Sequence, residues 1–177
     1  MNPRKSPLHG MVYASMFGAV TAVGAYLMIP LAPVPITLQG LFLNLASALL
    51  GGTLGALSQV IYLLLGFMGL PVFAGGKAGL GVLLGPTGGY LIGFPGGAFI
   101  MGKMMEIKKK PGILWMIFSM TTGWMVIYFC GVMWLSGVAR LPLGQAMVLG
   151  VLPFLPGDLL KIIAAALIAA RIRKHTE

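Results

Sequence analysis

Residues 10–76 read GMVYASMFGAVTAVGAYLMIPLAPVPITLQGLFLNLASALLGGTLGALSQVIYLLLGFMGLPVFAGG, and between His9 and Lys77 no Asp, Glu, Lys, Arg or His interrupts them. A bilayer-spanning helix takes about 20 apolar residues, so this one stretch has room for three spans joined by short turns. Working outward, residues 78–102 are again uncharged and supply a fourth, and 111–139 a fifth. Residues 141–157, continued past Asp158 and Lys161 to Ala170, supply a sixth. Composition agrees: 58% of the chain is hydrophobic and 8% charged, against about 25% charged in soluble domains. A water-soluble fold of this length leaves roughly 30% of its unfolded surface exposed and cannot hide so much apolar area. The expected fold is therefore an all-α integral membrane protein, a single domain over 1–177 built as a bundle of six transmembrane helices.

The punctuation sets the boundaries. Helices are expected over Gly10–Ile29, Thr37–Leu50, Thr53–Gly69, Gly85–Lys103, Gly112–Leu135 and Gly157–Arg171. Pro30–Pro35 stops the first, and Gly51-Gly52 turns the second into the third. Residues 70–84 hold too much glycine for a stable helix and read as a long outer loop between helices 3 and 4, the kind that is usually functional. The stretch from Ser136 to Gly144 reads as irregular. Arg4 and Lys5 ahead of an apolar run suggest a secretion signal, but Met11–Ile29 is too long for one and no cleavage site free of proline follows, so it is read as a retained helix.

The net charge of +9 lies in three places: Arg4 and Lys5, residues 103–110, and residues 171–174. With the N-terminus inside, six spans put all three on the cytoplasmic side and leave only Lys77 and Arg140 as basic residues outside, as the positive-inside rule asks. Both termini are thus expected in the cytoplasm, the protein multi-pass in the cell membrane, with lipid around it. No basic stripe with interleaved aromatics appears, which argues against nucleic acid. The one cysteine, Cys130, has no partner for a disulfide or metal site.

Within the expected spans, Asp158 and Lys161 are the only oppositely charged pair. Three residues apart, they share a helix face, and each is costly in hydrocarbon unless it meets a cavity or a partner. Pro156-Gly157-Asp158 also reads as a helix start with Asp158 near the N-cap, toward the outer side, where free amides would adjoin the pair. A solute with hydrogen-bonding groups and a carboxylate suits such a pocket; a salt bridge that merely caps the helix is the plainer alternative. Gly75-Gly76-Lys77-Ala78 lacks the first glycine and the Ser/Thr of a phosphate loop, and Gly79-x-Gly81 lacks the third glycine of a dinucleotide fingerprint. A lid is the better reading, with Gly85-Pro86-Thr87-Gly88-Gly89-Tyr90 presenting backbone amides at the start of helix 4. Gln39, Asn44 and Gln59 either line a pocket or join helices. Trp115, Trp124, Trp134 and Tyr90 have the character of interface anchors, and the methionines of bundle filler. Ala14, Gly18 and Ala22 stack on one face of helix 1 and permit close approach, either within the bundle or to another protein. Three acidic residues, Glu106, Asp158 and Glu177, leave no general acid–base pair, and no catalytic motif or cofactor signature appears, so the chain does not read as an enzyme.

Four stretches, VPITLQ at 34–39, GLPVFAGG at 69–76, LGPTGGYLIGF at 84–94 and LPFLPGDLLK at 152–161, closely resemble the BioY family, the biotin-specific S components of energy-coupling-factor importers. The resemblance covers essentially the whole chain. It implies six helices with cytoplasmic ends and biotin held near the outer face under the first and third loops. It implies contact with the vitamin by Asp158 and Lys161, in a pocket to which Tyr90, Gly85, Thr87, Gln39 and Phe73 also contribute. It further implies a membrane-embedded coupling subunit and two ATPase subunits, the former docked on small residues of helix 1, here Ala14, Gly18 and Ala22. The family's alanine-x-x-x-alanine is Ala14-x-x-x-Gly18 in this chain, and a polar loop residue of some relatives is replaced near Gly75 by glycine. Biotin offers two ureido N–H donors, a carbonyl, an apolar ring and a carboxylate; which end meets Asp158 and which Lys161 is left open by the sequence. The alternatives are an S component for another small vitamin, or a structural membrane protein without ligand.

Overall fold

A computed structural model describes residues 7–176; the basic pair Arg4 and Lys5 lies outside the described residues. The helices are α1 (Pro7–Tyr26), α2 (Gln39–Leu50), α3 (Gly52–Phe67), α4 (Leu80–Leu83), α5 (Gly88–Ile107), α6 (Ile113–Ala139), α7 (Leu143–Gly150) and α8 (Leu155–Thr176). Six of these follow the expected order, and the differences lie at their ends. Helix α1 stops at Tyr26, and Met28–Ile29 instead pair as a two-residue strand with Ile36–Thr37, closing a small antiparallel hairpin around Pro30, Pro33 and Pro35. The loop expected over 70–84 contains a 3-10 turn, Ala74–Gly76, and the single turn α4. The stretch expected to be irregular after residue 135 is helical to Ala139; Arg140 then takes a left-handed conformation and α7 follows.

Length and apolarity by themselves mark Leu8–Tyr26 and Ile113–Ala139 as spans, and α7 with α8, bent by 51° at their break, as a third. Helices α2 and α3 are shorter, at 12 and 16 residues. At 1.5 Å per residue α2 rises only ~18 Å, well short of a hydrocarbon layer about 30 Å thick. It is nonetheless the centre of the bundle, touching α1, α3, α5 and α8, and most of its residues are buried.

Glycine brings the backbones together at one end. A Cβ on Gly102 would sit 2.3 Å from the backbone of Gly51 and Gly52, so the α2–α3 turn lies directly against α5. Glu106 Oε1 accepts the Gly52 amide at 3.0 Å, and its other oxygen meets Lys103 Nζ at 2.9 Å, which satisfies the start of α3. Four methionines fill this half, Met101, Met105, Met116 and Met120, all fully buried, while others, such as Met11, Met68 and Met125, are exposed on the surface of the bundle. At the same end Lys110, Arg171, Arg173 and Lys174 line one groove, so the second and third basic clusters share a side.

The Ala14–Gly18–Ala22 face is corrected by the packing. All three residues are buried, and a Cβ on Gly18 would stand 2.9 Å from the Ser58 carbonyl oxygen. The stripe is the α1–α3 seam of this chain, where small side chains let two helices meet, and it is not open to a partner.

Candidate ligand-binding site

At the end opposite the basic groove, the bundle encloses a cavity of about 700 Å³, within the usual range for small-molecule sites. It exists because α2 begins at Gln39, below the level its neighbours reach, and the hairpin and the 70–84 loop cover the vacant volume. Asp158, Lys161, Tyr90, Gly85, Thr87, Gln39 and Phe73 all line it.

Asp158 and Lys161 form its charged floor. They are 5% and 9% exposed, on the first two turns of α8, with Lys161 Nζ donating to Asp158 Oδ1 at 2.6 Å. The Tyr128 hydroxyl, from α6, donates to Asp158 Oδ2. Each carboxylate oxygen thus has a donor in the absence of ligand, which buried charge requires. Asp158 is not the N-cap: α8 begins at Leu155, and the Asp158 amide already bonds the Phe154 carbonyl at 2.8 Å.

A second polar line ties the cover to the bundle. Thr37 Oγ1 donates to Gln39 Oε1 at 2.6 Å, and Gln39 Nε2 donates to the Tyr62 hydroxyl. The Tyr62 ring meets Phe73 edge-on at 5.6 Å. Phe73 is 1% exposed because Gly66 leaves it a slot; a Cβ there would be 2.2 Å from the ring. Gly75 and Gly76 turn at φ 72° and 71°, conformations that cost glycine little, and the Phe73 amide bonds the Lys77 carbonyl at 3.0 Å. The Tyr26 hydroxyl donates to the Pro71 carbonyl and fastens this loop to the end of α1.

Several aromatic assignments change. Tyr90 is buried, donating to the Gly150 carbonyl at 2.9 Å, and Trp124 lines the cavity with its indole donating to Asn44 Oδ1 at 3.0 Å. Neither is an interface anchor: each hydroxyl or N–H finds a protein partner, as buried Tyr and Trp need. Trp115 lies under Lys108, 4.1 Å from its ring, and Trp134 donates to the Gly85 carbonyl at 3.0 Å. Gln59 joins helices, reaching Thr21 Oγ1 at 3.4 Å. Of the amides at the start of α5, those of Gly85 and Gly88 bond the Val82 and Gly85 carbonyls at 3.2 and 3.1 Å. The Thr87 hydroxyl makes a long 3.5 Å bond to the Val82 carbonyl.

Sequence reasoning missed Tyr128, Trp124 and Lys77 as cavity residues. Trp124 and Tyr128 sit four apart in an unbroken apolar run, so spacing puts them on one face without saying which face is inward. Their ring centroids are 5.4 Å apart. Among the described residues no group of acidic, His and Cys side chains is arranged to hold a metal.

Comparison with known proteins bears on this site. The BioY family profile matches residues 1–177. The biotin transporter BioY of Thermotoga maritima is 45% identical over 164 residues, 93% of this chain and 95% of that protein. The probable biotin transporter BioY of Pyrococcus horikoshii is 43% identical over 166 residues, 92% of this chain and 94% of that one. A crystal structure of the S component for biotin from an ECF-type ABC transporter superposes with a TM-score of 0.87 at 32% identity, covering 98% of this chain and 94% of that one.

Proposed function

The chain belongs to the BioY family, and from that premise we propose that it captures biotin as the S component of an energy-coupling-factor importer. It is a multi-pass membrane transporter subunit and not an enzyme. The observation that carries the reading is the covered cavity with Asp158 and Lys161 buried at its floor. A pair that served only to hold helices would be walled in by side chains, whereas this buried pair lines a cavity of some 700 Å³. The apolar wall, with Phe73, Leu91, Phe94 and Phe154, suits a thiophane ring and an alkyl tail. The polar floor suits a ureido group.

In this reading six helices lie in the bilayer of the cell membrane, with α2 as a short central post and α4 and α7 at the outer surface. The basic groove then marks the cytoplasmic side and the cavity opens outward. Biotin enters from outside and the hairpin and the 70–84 loop close over it. The chain has no nucleotide motif, so release inward needs partner ATPases, of which we propose two, acting through a membrane coupling subunit. With the Ala14–Gly18–Ala22 seam buried, the small residues of α1 still exposed are Ser15 and Ala19, beside Met11, Met16 and Val23. That face is the one available to the coupling subunit.

Binding of radiolabelled biotin to the detergent-purified protein tests the site. Saturable wild-type binding is expected, with Asp158→Asn and Lys161→Ala each weakening it at least tenfold, about 1.4 kcal/mol. Competition by other vitamins distinguishes biotin from a different small carboxylate. Folded wild-type protein with no saturable biotin binding would remove biotin as the ligand. Unchanged affinity in both variants would remove these residues from the site.

A further inference from the structure

The cavity walls carry three charged side chains, Lys77, Asp158 and Lys161. Two of them cancel: Lys161 and Asp158 are in contact at 2.6 Å, and Tyr128 takes the remaining carboxylate oxygen. Lys77 is different. It lies exposed on the cover, just past the Gly75-Gly76 turn. Of the two described acidic residues, Asp158 is paired with Lys161, and Glu106 is paired with Lys103 at the other end of the bundle. The cavity is therefore electrostatically two-ended, with a neutral dipolar pair at the floor and a surplus positive charge at the mouth.

Resting on the biotin reading above, we propose that Lys77 recognises the carboxylate of the ligand, so that biotin sits with its ureido ring on the Asp158–Lys161 floor and its acid toward the cover. The opposite orientation would push a carboxylate against Asp158 in a poorly hydrated site, where like charges a few ångström apart strongly disfavour each other. A ureido group faces no such penalty. Its N–H donors complement Asp158, and its carbonyl complements Lys161, without breaking the ion pair. The N-termini of α2, α5 and α8 all lie at the cavity, and their dipoles add a positive bias that favours an anionic ligand. Lys77 thereby supplies charge selectivity, and because it belongs to the covering loop, its bond to the carboxylate also draws the cover shut.

The test compares biotin with its uncharged carboxamide, biotinamide, by equilibrium binding to purified wild type, Lys77→Gln, Lys77→Arg and Asp158→Asn. Wild type is expected to prefer biotin to the amide at least tenfold. Lys77→Gln should abolish that preference by weakening biotin while leaving the amide within about twofold, and Lys77→Arg should keep it. Asp158→Asn should weaken both ligands by a similar factor. An unchanged biotin-to-amide ratio in Lys77→Gln would overturn the assignment, as would equal loss of both ligands in that variant. A ratio that rises in Asp158→Asn would place the acid at the floor. Absence of binding of either ligand to folded wild type would instead strike the biotin reading itself.

Discussion

At the basic end of the bundle, backbone lies against backbone. A Cβ on Gly102 would meet the backbone of the α2–α3 turn at 2.3 Å. At the other end α5 and α6 still touch, but the bundle as a whole leaves about 700 Å³ of space with an ion pair lining it. Both ends use glycine for close approach, at the cavity end where Gly89 meets the Cys130 carbonyl and Gly66 meets Phe73, but the cavity end also uses it to turn the chain. Inner glycines remove side chains so that helices touch. Outer glycines, such as Gly75, Gly76 and Gly79 with φ between 71° and 82°, turn the chain over the opening. The tight end holds the frame while the loose end receives the solute, so stability and binding should respond to different substitutions.

The sharpest break of that comparison is Gly102→Ala. Its methyl has only backbone to push on, so overpacking should cost about 3 kcal/mol. Thermal unfolding in detergent reads it, and an unchanged transition would mean that the inner end is not close-packed. The floor residues come next, with the tenfold losses of affinity given above. Tyr128→Phe then isolates one hydrogen bond to Asp158, worth about 1 kcal/mol. Biotin affinity should fall about fivefold with little change in unfolding temperature, and a full loss of folding would move Tyr128 from the site to the frame. The smallest effect is expected of Gly81→Ala. Gly81 lines the cavity, and a Cβ there meets nothing within 4 Å. It lies in the short α4, where alanine is favoured over glycine by up to roughly 1 kcal/mol. Unfolding should be unchanged or slightly raised, and a large loss would show that the outer half is as tightly fitted as the inner.

The order of the long helices, the hydrocarbon setting and the prominence of Asp158 and Lys161 were legible in the sequence. Each depends on a property a residue carries with it: apolarity summed over a span, or the cost of charge in lipid. The motifs around residues 34–39, 69–76, 84–94 and 152–161 likewise pointed to the residues that gather at the cavity. Three positions needed the fold for one shared reason. Ala14–Gly18–Ala22 marks a face suited to close approach, but periodicity does not name the neighbour, and in the fold it is α3. Trp124 and Tyr90 have the amphipathic character of interface residues, and only the positions of Asn44 and the Gly150 carbonyl turn them inward.

From its sequence, then, this chain was committed to a membrane, to a helical backbone and to a buried charge pair, because lipid leaves backbone amides no other partners and tolerates charge only where it is answered. The tertiary structure decided that α2 stops short, that the space above it becomes a cavity and that Tyr128 answers Asp158 across 30 residues of chain. Those outcomes depend on which helix stands beside which and at what height, and no single segment carries that information.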